Sequence, residues 1–102
     1  MRVAGFDWDD GNRSKCHKHG VSTTAIESLF RGPVAVVSDP LHSKREERFK
    51  AIGKTDKGRG IFVVFTVRTW RGKRLIRPIS ARYMHRKEMD HHEKETATIP
   101  KR

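Results

Sequence analysis

Cysteine, acidic residues and long apolar runs are all scarce in this chain of 102 residues, and each shortage removes a class of explanation. The single cysteine, Cys16, excludes an internal disulfide and a zinc site built from several cysteines. His17 and His19 stand beside it, but the second pair of ligands that a metal site needs is missing. No apolar run approaches the roughly 18 residues of a membrane-spanning helix. The opening MRVAGFDWDD lacks the apolar core of a signal peptide. A cytoplasmic protein without membrane association is therefore expected. P-loops, dinucleotide fingerprints and nucleophile motifs are also missing, and no cofactor or metal is expected.

Positive charge is present in excess. Lys and Arg number 23 against 12 Asp and Glu, a formal charge of +11. Such a chain repels itself and attracts polyanions, which points to RNA, DNA or an acidic protein. A membrane surface fits less well, because no segment forms a basic amphipathic helix with large exposed apolar residues. The hydrophobic fraction is only 34%, yet those residues fall in clusters, enough for one modest core.

The clusters define an order of elements. Phe6-Asp7-Trp8-Asp9 suits a short strand or extended entry. Asp9 or Asp10 caps a short helix running to His19, with Gly20 as its left-handed terminator. Ser22 caps a second helix whose apolar stripe is Ala25, Ile26, Leu29 and Phe30, with Val21 placed to staple Ile26. Val34–Ser38, Glu46–Lys54, Ile61–Arg68 and Leu75–Ser80 read as four strands, and Arg82 to Lys94 as a basic terminal helix. The expected fold is α+β: a short first strand, two helices, a four-stranded antiparallel meander and a C-terminal helix. One domain over 1–95 and a basic tail over 96–102 account for the whole chain.

Strand alternation then separates two faces. Phe49, Ala51, Ile61, Val63, Phe65, Val67 and Ile76 make an apolar face for the helices to cover. The opposite face gathers Arg48, Lys50, Thr66, Arg68 and Arg77 beside Phe62, Val64 and Leu75. Like charges on adjacent strands cost roughly 0.2–1 kcal/mol per opposed pair. Glu46 and Glu47 are the only carboxylates near them in sequence, so a site for a polyanion explains the cluster better than a structural sheet does.

An arginine cluster on a rigid sheet suits RNA cleavage without metal. The 2′-oxygen attacks phosphorus, and fixed guanidinium groups stabilise the charge that builds on the phosphoryl oxygens. Candidate proton-transfer groups are His19, Glu46, Glu47, His85, His91 and His92. Competing structural readings exist for several of these. Lys18 and His19 suit a helix C-terminus on dipole grounds, and His91-His92 suit a solvated face. Trp8 and Trp70 can stack on bases, or serve as core and turn cover respectively.

Five blocks in order resemble the BrnT toxins of bacterial type II toxin–antitoxin pairs. They are Phe6-Asp7-Trp8-Asp9, Lys18-His19-Gly20-Val21-Ser22, Glu47-Arg48 with Gly53, Val64-Phe65-Thr66 with Arg68, and Arg77-Pro78-Ile79-Ser80-Ala81-Arg82 with Glu88. The resemblance implies a RelE-like fold, endoribonuclease activity, and neutralisation by a BrnA-type antitoxin, with operator DNA bound only through that antitoxin. The positions it carries over by motif are Lys18, His19, Arg48, Arg68, Arg77, Arg82 and Glu88. On chemical grounds we assign Lys18, His19, Arg48, Arg68 and Arg82 to catalysis, with His19 or Glu47 as candidate proton-transfer groups, and Glu47, Arg77, Glu88 and His92 to contact with RNA. Two positions depart from the family pattern. Pro78 follows the strand arginine where an aliphatic residue is usual, and implies an edge or bulge there. His92 stands where a tyrosine is frequent. The alternative function is a non-catalytic module of the same fold that binds nucleic acid or a protein partner through the basic sheet.

Overall fold

A computed structural model describes residues 3–42 and 44–88. Strand β1 (Gly5–Phe6) is followed by helices α1 (Asp10–His17) and α2 (Thr23–Arg31), then β2 (Val34–Ser38), a single 3-10 turn (Pro40–His42), β3 (Arg48–Lys54), β4 (Gly60–Trp70) and β5 (Lys73–Tyr83). Strands β2 to β5 form the expected antiparallel meander. The first strand adds to it in parallel beside β5, giving a five-stranded mixed sheet of order β1-β5-β4-β3-β2. Residues 86–88 are helical, and the other positions of the expected terminal helix, with His92 and the tail over 96–102, lie outside the described residues.

Both helices start where the sequence places their caps. The Asp9 carboxylate accepts from the Asn12 backbone N–H at 2.9 Å, and the Asn12 side-chain oxygen accepts from the Asp9 N–H at 2.7 Å. This reciprocal pair satisfies two donors that a helix start otherwise leaves without partners. Lys18 still has helical torsions, and Gly20, at φ 82°, turns the chain away. Ser22 caps α2 through the Ala25 N–H at 3.1 Å, while Val21 and Ile26 are buried on either side of that cap. An amphipathic second helix then presents Ile26 and Leu29 to the sheet.

One sheet face is the core. Ile61, Val63 and Phe65 of β4 are fully buried, with Ala51 of β3 and Ile76 of β5 beside them. Phe65 stacks on Phe49 at 5.4 Å and meets Phe30 of α2 edge-on at 5.1 Å, and Phe30 in turn touches Phe6 at 5.8 Å. Four aromatic rings thus join β3, β4, α2 and β1; Phe65, fully buried, contributes about 1.5–3 kcal/mol, while Phe6, Phe30 and Phe49 are partly buried against it. Gly53 belongs to the same arrangement. A Cβ there would stand 2.7 Å from Leu29 Cδ1 and 3.1 Å from the Pro33 carbonyl oxygen.

The arginine-bearing face is organised by a bulge. Val64 pairs with Ser80 but Phe65 pairs with Pro78, leaving Ile79 as an extra residue on β5. Strict alternation would put Ile79 with Arg77 and would turn Arg82 toward the core. The extra residue shifts the parity, so Arg77 opposite Thr66 and Arg82 opposite Phe62 share the outer face, while Ala81 opposite Val63 stays buried. Pro78 has no N–H to lose at this break, and its carbonyl oxygen instead accepts from Asn12 Nδ2 at 2.8 Å. The bulge that Pro78 suggested is present, and because β1 pairs only with Leu75 and Ile76, Pro78 also lies where β5 has a strand partner on one side alone.

Deleting Ile79 restores alternation and drives either Arg77 or Arg82 into the core without its partners, a change that costs several kcal/mol. The expected outcome is loss of the cooperative urea transition, whereas Ile79→Ala retains it. Circular dichroism of the two variants across a urea series checks this.

Candidate active site

Three strands deliver the cationic row. Arg48 of β3, Thr66 of β4 and Arg77 of β5 are aligned across the sheet, and Arg68 follows Thr66 two residues along β4 on the same face. The sheet holds these side chains in set directions, because their strands are the central three of the five-stranded sheet. The first turn of α1 with Lys15, the segment holding Glu46, and Pro78–Ile79 of the bulge complete a groove of about 810 Å3 around them.

The arginines are not left facing one another. Arg77 Nη2 donates to Asp9 Oδ2 at 2.8 Å, and its Nη1 lies 3.5 Å from Asp7 Oδ2. Arg68 Nη2 lies 3.4 Å from Glu46 Oε2. Glu46 and Glu47 are the carboxylates near the cluster in sequence, but they are not the only ones near it in space. The parallel pairing of β1 with β5 brings two more carboxylates from the other end of the chain. Asp9 serves α1 and Arg77 together: one oxygen caps the helix and the other receives the guanidinium. The Asn12 N–H, then Arg77, hold the Asp9 carboxyl below its ordinary range. The same hydrogen bond raises the pKa of Arg77, so the guanidinium stays charged.

A second ion pair occupies the outer face further along β5. Arg82 makes a bidentate pair with Glu88, both bonds at 2.9 Å, and its guanidinium lies 5.0 Å from the Phe62 ring centroid. Glu88 also accepts from the His85 N–H at 2.9 Å, tying the start of the terminal helix to the sheet. Arg82 first, and the His85 N–H second, bring the Glu88 carboxyl down to about 2.

The structure brings together Arg48, Arg68 and Arg77 from the set named by sequence, and it places the others elsewhere. Lys18 and His19 are exposed at the end of α1. Lys18 follows Lys15 by three residues on the same side of the helix, so the α1 wall continues toward it. Arg82 and Glu88 pair with each other beyond the groove. Glu47 is exposed, and its carbonyl accepts from the Thr66 hydroxyl at 2.7 Å. His92 lies outside the described residues. Asn12, Lys15 and Asp9 are the groove residues that sequence reasoning missed. The spacing Asp9-x-x-Asn12, a capping box with asparagine in place of Glu or Gln, was the available signal. Cys16 is buried and its thiol is pushed up to about 11, which leaves it inert at neutral pH.

Two expected outcomes follow from these pairs. Asp9→Asn keeps a good cap and loses the charge facing Arg77, whereas Asp9→Ala loses both. Thermal melts should therefore rank wild type, Asn, then Ala from most to least stable. Glu88 is ionised more readily folded than unfolded, so the stability it adds is complete above its ordinary value of 4.5 and is lost as pH falls through about 2. A carbon-detected NMR titration should show the Glu88 carboxyl midpoint near 2 in the wild type and close to the ordinary value in Arg82→Ala.

Comparison with protein families agrees with the resemblance read from the motifs. The model of the ribonuclease toxin BrnT of type II toxin–antitoxin systems matches residues 8–88, which span Asp9, all three groove arginines and the Arg82–Glu88 pair. A search of curated proteins finds no match. The match covers most of the chain and every element from α1 to β5, so this protein belongs to the BrnT family of ribonuclease toxins.

Proposed function

We propose that the groove over Arg48, Arg68 and Arg77 is where this toxin cleaves RNA, that cleavage needs no metal ion, and that a BrnA-type antitoxin neutralises the toxin in the cytoplasm. The observation that carries the reading is the aligned cationic row across three strands, with Glu46 and Lys15 beside it.

In this reading a phosphodiester lies over the guanidinium groups in place of the Asp9 and Glu46 carboxylates that now contact them. Glu46 takes the proton of the 2′-hydroxyl, and the 2′-oxygen attacks phosphorus. A 2′,3′-cyclic phosphate forms as the bond to the 5′-oxygen breaks, and Lys15 gives that oxygen a proton. Arg48, Arg68 and Arg77 stabilise the charge gathered on the non-bridging oxygens, which is largest in the transition state. Lys18 and His19 extend the cationic wall along α1 and guide the strand beyond the scissile bond. Arg82 and Glu88 fix the start of the terminal helix against the same face.

Removing one donor to such a charge lowers turnover by about 100- to 1000-fold in well-studied enzymes. Arg68→Ala and Arg77→Ala are expected to lose RNA cleavage by about that factor and to relieve growth arrest on inducible expression. Glu46→Gln should lower kcat while RNA affinity is retained. Wild-type cleavage should persist with EDTA present. Cleavage at full rate by both arginine variants contradicts the assigned site. Salt-dependent RNA binding with no cleavage products, by the wild type, favours the non-catalytic module instead.

A further inference from the structure

A second cavity, of about 380 Å3, adjoins the arginine groove and shares Arg68 with it. Its walls are aromatic and aliphatic: Phe6 and Trp8 from the N-terminal segment, Trp70 and Leu75 from the β4–β5 hairpin. Asp7 and Thr69 supply polar atoms at its edge. Trp8 is anchored, its Nε1 donating to Glu27 Oε2 at 2.9 Å, and it is half-buried against the core. Trp70 is different. It is 58% exposed, and it makes no part of the core.

The hairpin does not require a tryptophan there. Its turn is made by Arg71 at φ 50° and Gly72 at φ 75°, the two left-handed residues that a two-residue connection needs. Arg71 is the one described non-glycine residue with positive φ, a conformation that side chains disfavour. That conformation accompanies an Arg71 guanidinium lying 4.5 Å from the Trp70 ring centroid. The indole is therefore held in place by a cation and remains open to solvent. Thr66, Arg68 and Trp70 alternate onto the outer face, so the indole follows the arginine by two residues, about 7 Å along the strand.

We infer that this cavity is a nucleobase subsite, in which an unpaired base next to the cleaved phosphate stacks on Trp70 while Arg68 holds the phosphate between them. The inference rests on the phosphate reading of the arginine groove. Single-stranded nucleic acid is held in this way by cationic grooves interleaved with aromatic platforms, and every base offers a face for stacking. Arg71 adds charge behind the platform. The volume falls at the lower end of the roughly 300–1,000 Å3 of small-ligand pockets.

The test uses the full chain and a short single-stranded RNA made uncleavable by 2′-O-methyl groups, with affinity read by fluorescence anisotropy. Trp70→Ala should weaken binding by roughly 5- to 100-fold, and Trp70→Phe should stay close to wild type. An abasic nucleotide walked along the oligomer should weaken wild-type binding at one position, where Trp70→Ala adds no further loss. Unchanged RNA affinity in Trp70→Ala overturns the subsite, as does an alanine effect that persists with every abasic oligomer. A Trp70→Ala defect seen only with the antitoxin protein overturns it in favour of a protein contact. Failure of the underlying phosphate reading is distinct, since it appears as unchanged affinity in Arg68→Ala and Arg77→Ala.

Discussion

The side chain of Asn12 makes the contact on which the rest of this architecture depends. Its amide donates to the carbonyls of Asp7 and Pro78, 2.9 and 2.8 Å away, and its oxygen accepts from Asp9. One buried group thereby joins the exit of β1, the cap of α1 and the bulge of β5. Satisfying all these polar groups at once is what makes the break in the β5 ladder tolerable, because a buried carbonyl without a partner costs about 1–3 kcal/mol. The bulge in turn decides which arginines share a face.

The second consequence is electrostatic. A protein of charge +11 gathers three arginines on one sheet face, and it offsets their repulsion with carboxylates from separate parts of the chain. Asp7 and Asp9 arrive through the parallel strand, Glu46 through the segment before β3. These contacts are exposed enough to be exchanged, since the Asp9 side chain is 53% accessible and that of Glu46 36%. An anion that brings more charge than one carboxylate, as a phosphodiester strand does, has a cationic row already aligned and only surface pairs to displace.

Much of this was legible in the sequence. The caps at Asp9 and Ser22, the meander, and the split between an apolar and a cationic face followed from local chemistry and period-two alternation. The membership of Arg77 and Arg68 in one cluster followed as well. What local pattern misassigned was the stretch after Ser80: Arg82 and Tyr83, expected in the terminal helix, continue β5, and the extra residue Ile79 decides which face Arg82 takes. Parallel pairing of β1 with β5 was also hidden. It joins residues some 70 positions apart, and no turn between neighbouring strands announces it. Asn12 reads locally as a helix residue, and its contact with Pro78 exists only in the folded chain.

Observing the arginines themselves tests the central claim most directly. In a nitrogen-15 NMR titration of the full chain with uncleavable single-stranded RNA, the side-chain Nε–Hε signals of Arg48, Arg68 and Arg77 should shift and become protected from exchange. Those of Arg31, at the end of α2, and Arg59, stacked on Tyr83, should stay in place. Perturbation centred on Arg31 or Arg59, with the three sheet arginines unmoved, would contradict the account.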